Sequence, residues 1–118
     1  MKKTTAQEFS QFRFECKRLE LVLGFASWDI TYQHKILTGE NADAIALCES
    51  DYDARTCAIS FNLKRITTKE YNPLQMAKHE MAHLLLAGMS AIGGDRFCTL
   101  KSLNAEEEKV TTVLERII

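Results

Sequence analysis

Apolar residues recur every three or four positions near the start of the chain. Phe9, Phe12, Cys16, Leu19 and Leu23 form one stripe, while Gln11, Arg13, Lys17, Arg18 and Glu20 occupy the other faces. That period predicts a helix with one face on a core. Thr4 with Gln7, or Thr5 with Glu8, supplies a capping box at its start, and Gly24 a stop. From Ala26 the period drops to two. Trp28, Ile30, Tyr32 and His34 alternate with Ser27, Asp29, Thr31 and Gln33, which predicts a half-buried strand. Ala44 to Cys48 and Cys57 to Leu63 read as two more strands. A polar turn from Glu49 to Arg55 joins them as an antiparallel hairpin, with Cys57, Ile59, Phe61 and Leu63 facing inward.

Asn72 is a strong N-cap type and Pro73 suits a first helical position, so a second helix is expected to start there. It is apolar on most sides, with Ala77, Met81, Leu84 and Gly88 at helical spacing, and Gly88 is its expected end. Ala91 to Arg96 reads as a flexible turn, and Phe97 to Leu100 as a short extended piece. Asn104 to Ile118 reads as a last helix with Val110, Val113, Leu114 and Ile117 on one side. The expected class is α+β in a single domain, residues 1–118. Its parts are an N-terminal helix, a small three-stranded sheet (mostly antiparallel or mixed), a central apolar helix and a C-terminal helix.

Composition narrows the function classes. The chain has 118 residues, 46% apolar and 26% charged, as an ordinary globular domain has. A net charge of −1 gives no electrostatic case for nucleic acid or an anionic membrane. No apolar stretch follows Met1-Lys2-Lys3, so no secretory signal is expected, and the longest nearly uncharged run is too short to span a bilayer. The expected compartment is the cytoplasm. Cys16, Cys48, Cys57 and Cys98 lack CxxC spacing. Cys48 and Cys57 could face each other across the hairpin, but reduced, half-buried thiols are the expectation, not zinc ligands. Asp51 and Asp53 read as turn residues, since the glycine and distal glutamate of a calcium loop are missing.

The chemistry lies in His79-Glu80-Met81-Ala82-His83, which reads HExxH. Residues four apart share a helix face, so His79 and His83 can aim at one ion. Glu80 lies beside them and can reach a water on that ion, as the general base of a metallopeptidase does. A catalytic zinc needs a third protein ligand. Leu86 and Met89 stand where an HExxHxxGxxH pattern needs glycine and histidine, which excludes that class. Glu106, Glu107 and Glu108 head the last helix. Measured from an apolar face centred between Val110 and Leu114, Glu106 and Glu107 lie about 50° to either side and Glu108 points about 150° away. Geometry therefore ties Glu106 with Glu107 and discards Glu108. Asp95, in the Gly-Gly turn, is the fallback.

With these residues the chain resembles the gluzincin metallopeptidases, whose zinc is held by HExxH and a glutamate on a later helix. Glu107-Glu108-Lys109-Val110, continuing to Leu114-Glu115, is similar to the glutamate helix of small phage and prophage metallopeptidases. The resemblance tips the tie toward Glu107, with Glu106 second and Asp95 third. It implies a minimal zincin-like core, Zn(2+) on His79, His83 and Glu107, and Glu80 as general base in peptide hydrolysis. It also implies an edge strand antiparallel to a peptide or protein substrate, for which Ala44 to Cys48 is the candidate. Tyr71, His34 and Arg96 are candidates for a transition-state donor. Thermolysin-like enzymes complete their cleft with a second domain, and none is expected here. The rival expectation is therefore a catalytically silent zincin-fold binding or regulatory module, completed in some cases by a partner chain.

Overall fold

The computed structural model describes residues 2–67 and 71–94. In the C-terminal segment it describes Asn104, Ala105, Glu107, Glu108, Thr111, Thr112, Leu114 and Glu115, all helical, and for 88–94 it describes the backbone. The protein is α+β: two helices and a three-stranded mixed sheet, with those C-terminal helical residues packed at the central helix. Helix α1 spans Ala6–Val22. Of the two possible caps, Thr5 is used. Its hydroxyl accepts from the Glu8 amide and the Glu8 carboxylate accepts from the Thr5 amide, an arrangement worth about 1 kcal/mol. Thr4 is buried instead, and its hydroxyl donates to the Asn62 carbonyl at 2.8 Å. The helix ends just before Gly24, whose φ of +85° takes the chain out of the helical direction.

The sheet order is β1-β3-β2, where β1 is Asp29–Lys35, β2 is Ala46–Asp51 and β3 is Thr56–Asn62. β2 and β3 form the expected antiparallel hairpin, and β1 adds to the other side of β3 in parallel. β1 shows the expected alternation between exposed and half-buried positions. β3 differs: Ser60 and Asn62 are as buried as Ile59 and Phe61, because the strand is central and covered on both faces. The connection from β1 to β2 must pass β3, since β3 fills the slot between them. Asn62 holds that connection. Its amide NH₂ donates to the carbonyls of Ala42 (3.3 Å) and Ala44 (2.8 Å), and its side-chain oxygen accepts from the amides of Leu37 (3.3 Å) and Lys64 (3.0 Å). Backbone groups of the connection that would otherwise lie unpaired are satisfied by one buried side chain.

Helix α2 spans Pro73–Gly94. Asn72 caps it as expected, its side chain accepting from the Gln75 amide at 3.2 Å. Gly88 does not end it, and 91–94 are helical rather than a turn. One glycine costs a helix about 1 kcal/mol, less than the apolar run on either side gains by continuing. Asp95, Arg96 and the stretch from Phe97 to Leu100 lie outside the described residues. The core is Phe12, Cys16 and Leu19 of α1, Ile59 and Phe61 of β3, and Ala77, Met81 and Leu84 of α2. Each large apolar side chain there contributes roughly 1.5–3 kcal/mol by leaving water. α2 thus lies against α1 on one side and runs beside β2 on the other. Among the described residues no helix is long and apolar enough to cross a membrane.

Candidate metal centre

His79 and His83 lie one turn apart on α2, half-buried, with ring centroids 4.8 Å apart and planes crossed at 79°. Each ring is engaged at Nδ1 by a carboxylate from the C-terminal helical residues. Glu115 approaches His79 Nδ1 at 2.6 Å, and Glu107 approaches His83 Nδ1 at 3.4 Å. An imidazole held at Nδ1 by a carboxylate presents Nε2 with its lone pair free. The two Nε2 atoms here face each other at 3.2 Å. The Glu108 carboxylate closes the group, with one oxygen 3.4 Å from His79 Nε2 and the other 3.1 Å from His83 Nε2. His79, His83 and Glu108 together could hold a metal ion.

Glu108 was the residue that helix geometry discarded. The angular argument took Val110 and Leu114 as the centre of the packed face. Thr111, fully buried, marks that face instead. Counting about 100° per residue from Thr111, Glu107 and Glu115 fall about 40° to either side, and Glu108 and Leu114 about 60°. All three glutamates therefore share the face turned to α2. A polar residue at the centre of the stripe hid it from a count of apolar positions. Thr111 was the signal that could have found Glu108 and Glu115. Glu107, ranked first, sits at His83 Nδ1, on the far side of the ring from Nε2. Glu106 and Asp95 lie outside the described residues.

Glu80 is 7% exposed and lies between two cavities of about 430 and 400 Å³ that share Ala46, His79 and Glu80 as walls. Cys48, Ser50, His83 and Glu107 belong to the first cavity, and Asp43, Ile45, Met76 and Glu115 to the second. Burial pushes the Glu80 carboxyl above its ordinary range; the imidazoles of His83 and His79 oppose this, and the charges of Glu108 and Glu115 add to it. No lysine or arginine lines either cavity among the described residues. β2, with its outer side unpaired among the described strands, forms the wall opposite α2.

The candidate donors fall elsewhere. The Tyr71 hydroxyl accepts from the Ile66 amide at 2.6 Å, its ring stands under the Arg65 guanidinium, and it lines neither cavity. His34, next to last in β1, stacks on Phe9 and meets the Thr4 hydroxyl at 2.7 Å. Arg96 lies outside the described residues. Comparison with known protein families, characterised proteins and solved structures gives no significant match.

Proposed function

We propose that the chain is a zinc-dependent peptidase with a zincin-like core, its metal held by His79, His83 and Glu108. The observation that carries this reading is the set of three nitrogen–nitrogen and nitrogen–oxygen separations at the histidine pair. Ligands about 2.0–2.1 Å from a tetrahedral zinc stand about 3.3–3.4 Å from one another; the two Nε2 atoms are 3.2 Å apart, each has a different oxygen of the Glu108 carboxylate beside it (3.4 Å from His79, 3.1 Å from His83), and one ligand atom from each residue lies within 4.8 Å of the others. Carboxylates on both Nδ1 atoms add the outer support such ligands use. Zinc bound there supplies a Lewis acid that acidifies water and polarises a carbonyl. Glu80 takes the proton of the attacking water and returns it to the leaving amine. That Glu80 lines both cavities beside the histidines supports this role. The outer side of β2, unpaired among the described strands, offers a peptide substrate backbone hydrogen bonds. Glu115 and Glu107 hold the rings of His79 and His83 in orientation.

A second reading is a metal-binding module without turnover, and one observation favours it. Neither Tyr71 nor His34 lines the cavities. Metal content and peptide cleavage separate the two readings. Elemental analysis of purified protein is expected to give about one zinc per chain. Glu108→Ala is expected to lose it, while Glu107→Ala and Glu115→Ala weaken affinity by roughly 10–100-fold. A folded wild type that refuses added zinc would sink both. Zinc retained with no chelator-sensitive cleavage of a broad peptide library would leave the module.

A further inference from the structure

The hairpin of β2 and β3 brings two thiols together where no sequence motif pairs them. Cys48 Sγ and Cys57 Sγ lie 3.4 Å apart, both as free thiols. In the register Cys48 stands opposite Ile59 and Cys57 opposite Ser50, so the cysteines are diagonal neighbours on one face of the sheet. Their surroundings differ. Cys57 is 4% exposed, whereas Cys48 is half-buried and lines the larger cavity beside His79, Glu80 and His83. A small solute entering that cavity meets Cys48, with Cys57 directly behind it.

We propose that Cys48 and Cys57 form a reversible oxidation site in the wall of the metal centre, closed to a disulfide by a hydroperoxide. The peroxide transfers one oxygen to Cys48, giving a sulfenic acid and water. The Cys57 sulfur then attacks the Cys48 sulfur, forming the S–S bond and releasing a second water. Two thiols and one hydrogen peroxide thus become one disulfide and two waters. The pair is arranged for the second step. The two sulfurs lie 3.4 Å apart, so the Cys57 sulfur reaches the Cys48 sulfur with little movement of either side chain.

Spacing makes this a switch rather than a staple. Diagonal neighbours on antiparallel strands have α-carbons about 7–8 Å apart. A relaxed disulfide spans about 4.4–6.8 Å. Closing the bond therefore draws β2 toward β3 and stores strain, which leaves the bond easy to reduce. It also moves the strand that carries Ala46 and faces Glu80, so the metal centre feels the change.

The experiment treats the full chain with a small excess of hydrogen peroxide and reads intact mass and peptide maps. The expected product is lighter by two hydrogens, linked between Cys48 and Cys57, and restored by dithiothreitol. Cys16→Ala is expected to behave as the wild type. Cys48→Ala should give no linked product, and Cys57→Ala should retain oxygen on Cys48. Wild-type protein that accumulates oxygen on Cys48 without a link, or links either cysteine to Cys16 or Cys98, would overturn the site. Zinc titration of both forms reads the coupling, which rests on the proposed metal reading. Several-fold weaker uptake after oxidation is expected, and equal uptake would overturn the coupling. Reduced protein that binds no zinc would instead remove the metal reading, and the thiol map would still decide the oxidation site.

Discussion

The protein holds histidines at two places, and their surroundings differ in kind. Near the end of β1, His34 Nε2 donates to the Thr4 hydroxyl, whose own proton goes to the Asn62 carbonyl, and the ring stacks on Phe9 at 4.9 Å. The polar partner of the ring there is a neutral hydroxyl. The nearby acid, Glu8, is met as well, by the Thr5 amide and the Arg65 guanidinium. On α2 the balance is the reverse. His79 and His83 face each other across 3.2 Å, and Glu107, Glu108 and Glu115 crowd around them beside the buried Glu80. Carboxylates gathered in this way repel one another unless a cation joins them. A neutral hydrogen-bond network and a crowd of carboxylates thus stand in one small domain, and the crowd contains the group that could hold a metal ion.

The sharpest way to break this comparison is to remove one histidine at each place. His83→Ala is expected to abolish zinc binding, whereas His34→Ala keeps about one zinc per chain in elemental analysis. Equal metal content in both variants would show that the α2 pair is not a metal site. Glu80→Gln has two expected effects. Peptide turnover falls about 10²–10⁴-fold with zinc retained. In the chelated protein the melting temperature rises by several degrees, because an amide replaces a carboxyl whose charge burial opposes. A lower melting temperature would mean that Glu80 has a stabilising partner.

Next in size is Asn62→Ala. It removes the three hydrogen bonds that hold the β1–β2 connection and a fourth from the Lys64 amide, and a loss on the order of 2–3 kcal/mol is expected in denaturant unfolding. Smaller still is the pH response of the His34 end. Burial lowers the His34 pKa, against the raising effect of Glu8. The unfolded chain then binds its proton first, so the stability from His34 is complete above the ordinary histidine value and falls as pH drops through the folded one. For Glu8, burial works upward but is outweighed by the Thr5 amide and Arg65, which lower its pKa. Its contribution is present above the ordinary value of 4.5 and fades as pH falls through the lowered one. Urea midpoints of His34→Phe and Glu8→Gln should each lose the slope in their own window. The smallest effect is at Ser60, whose buried hydroxyl has no hydrogen-bond partner among the described residues. Ser60→Ala is expected to raise stability by up to about 1 kcal/mol. A loss of that size would reveal a partner for the hydroxyl.

The sequence by itself determined whatever depends on neighbours along the chain. The stripe from Phe9 to Leu23 and the Thr5–Glu8 box specify α1. The alternation around Ile30 and Tyr32 specifies β1. Asn72-Pro73 specifies the start of α2, and the spacing of His79 and His83 puts both rings on one face. These are local rules of period and capping, and one segment is enough to read them. The tertiary structure alone decided the rest. It set β1 parallel to the centre strand, made Asn62 a buried tie, carried α2 through Gly88, and put the Cys48–Cys57 pair, which the hairpin already suggested in the sequence, beside the cavity. Above all it chose among the glutamates. Which side of the last helix meets α2 depends on the shape of the surface it packs on. Thr111, a polar residue fully buried at that contact, turned Glu108 toward both Nε2 atoms where the apolar pattern alone turned it away.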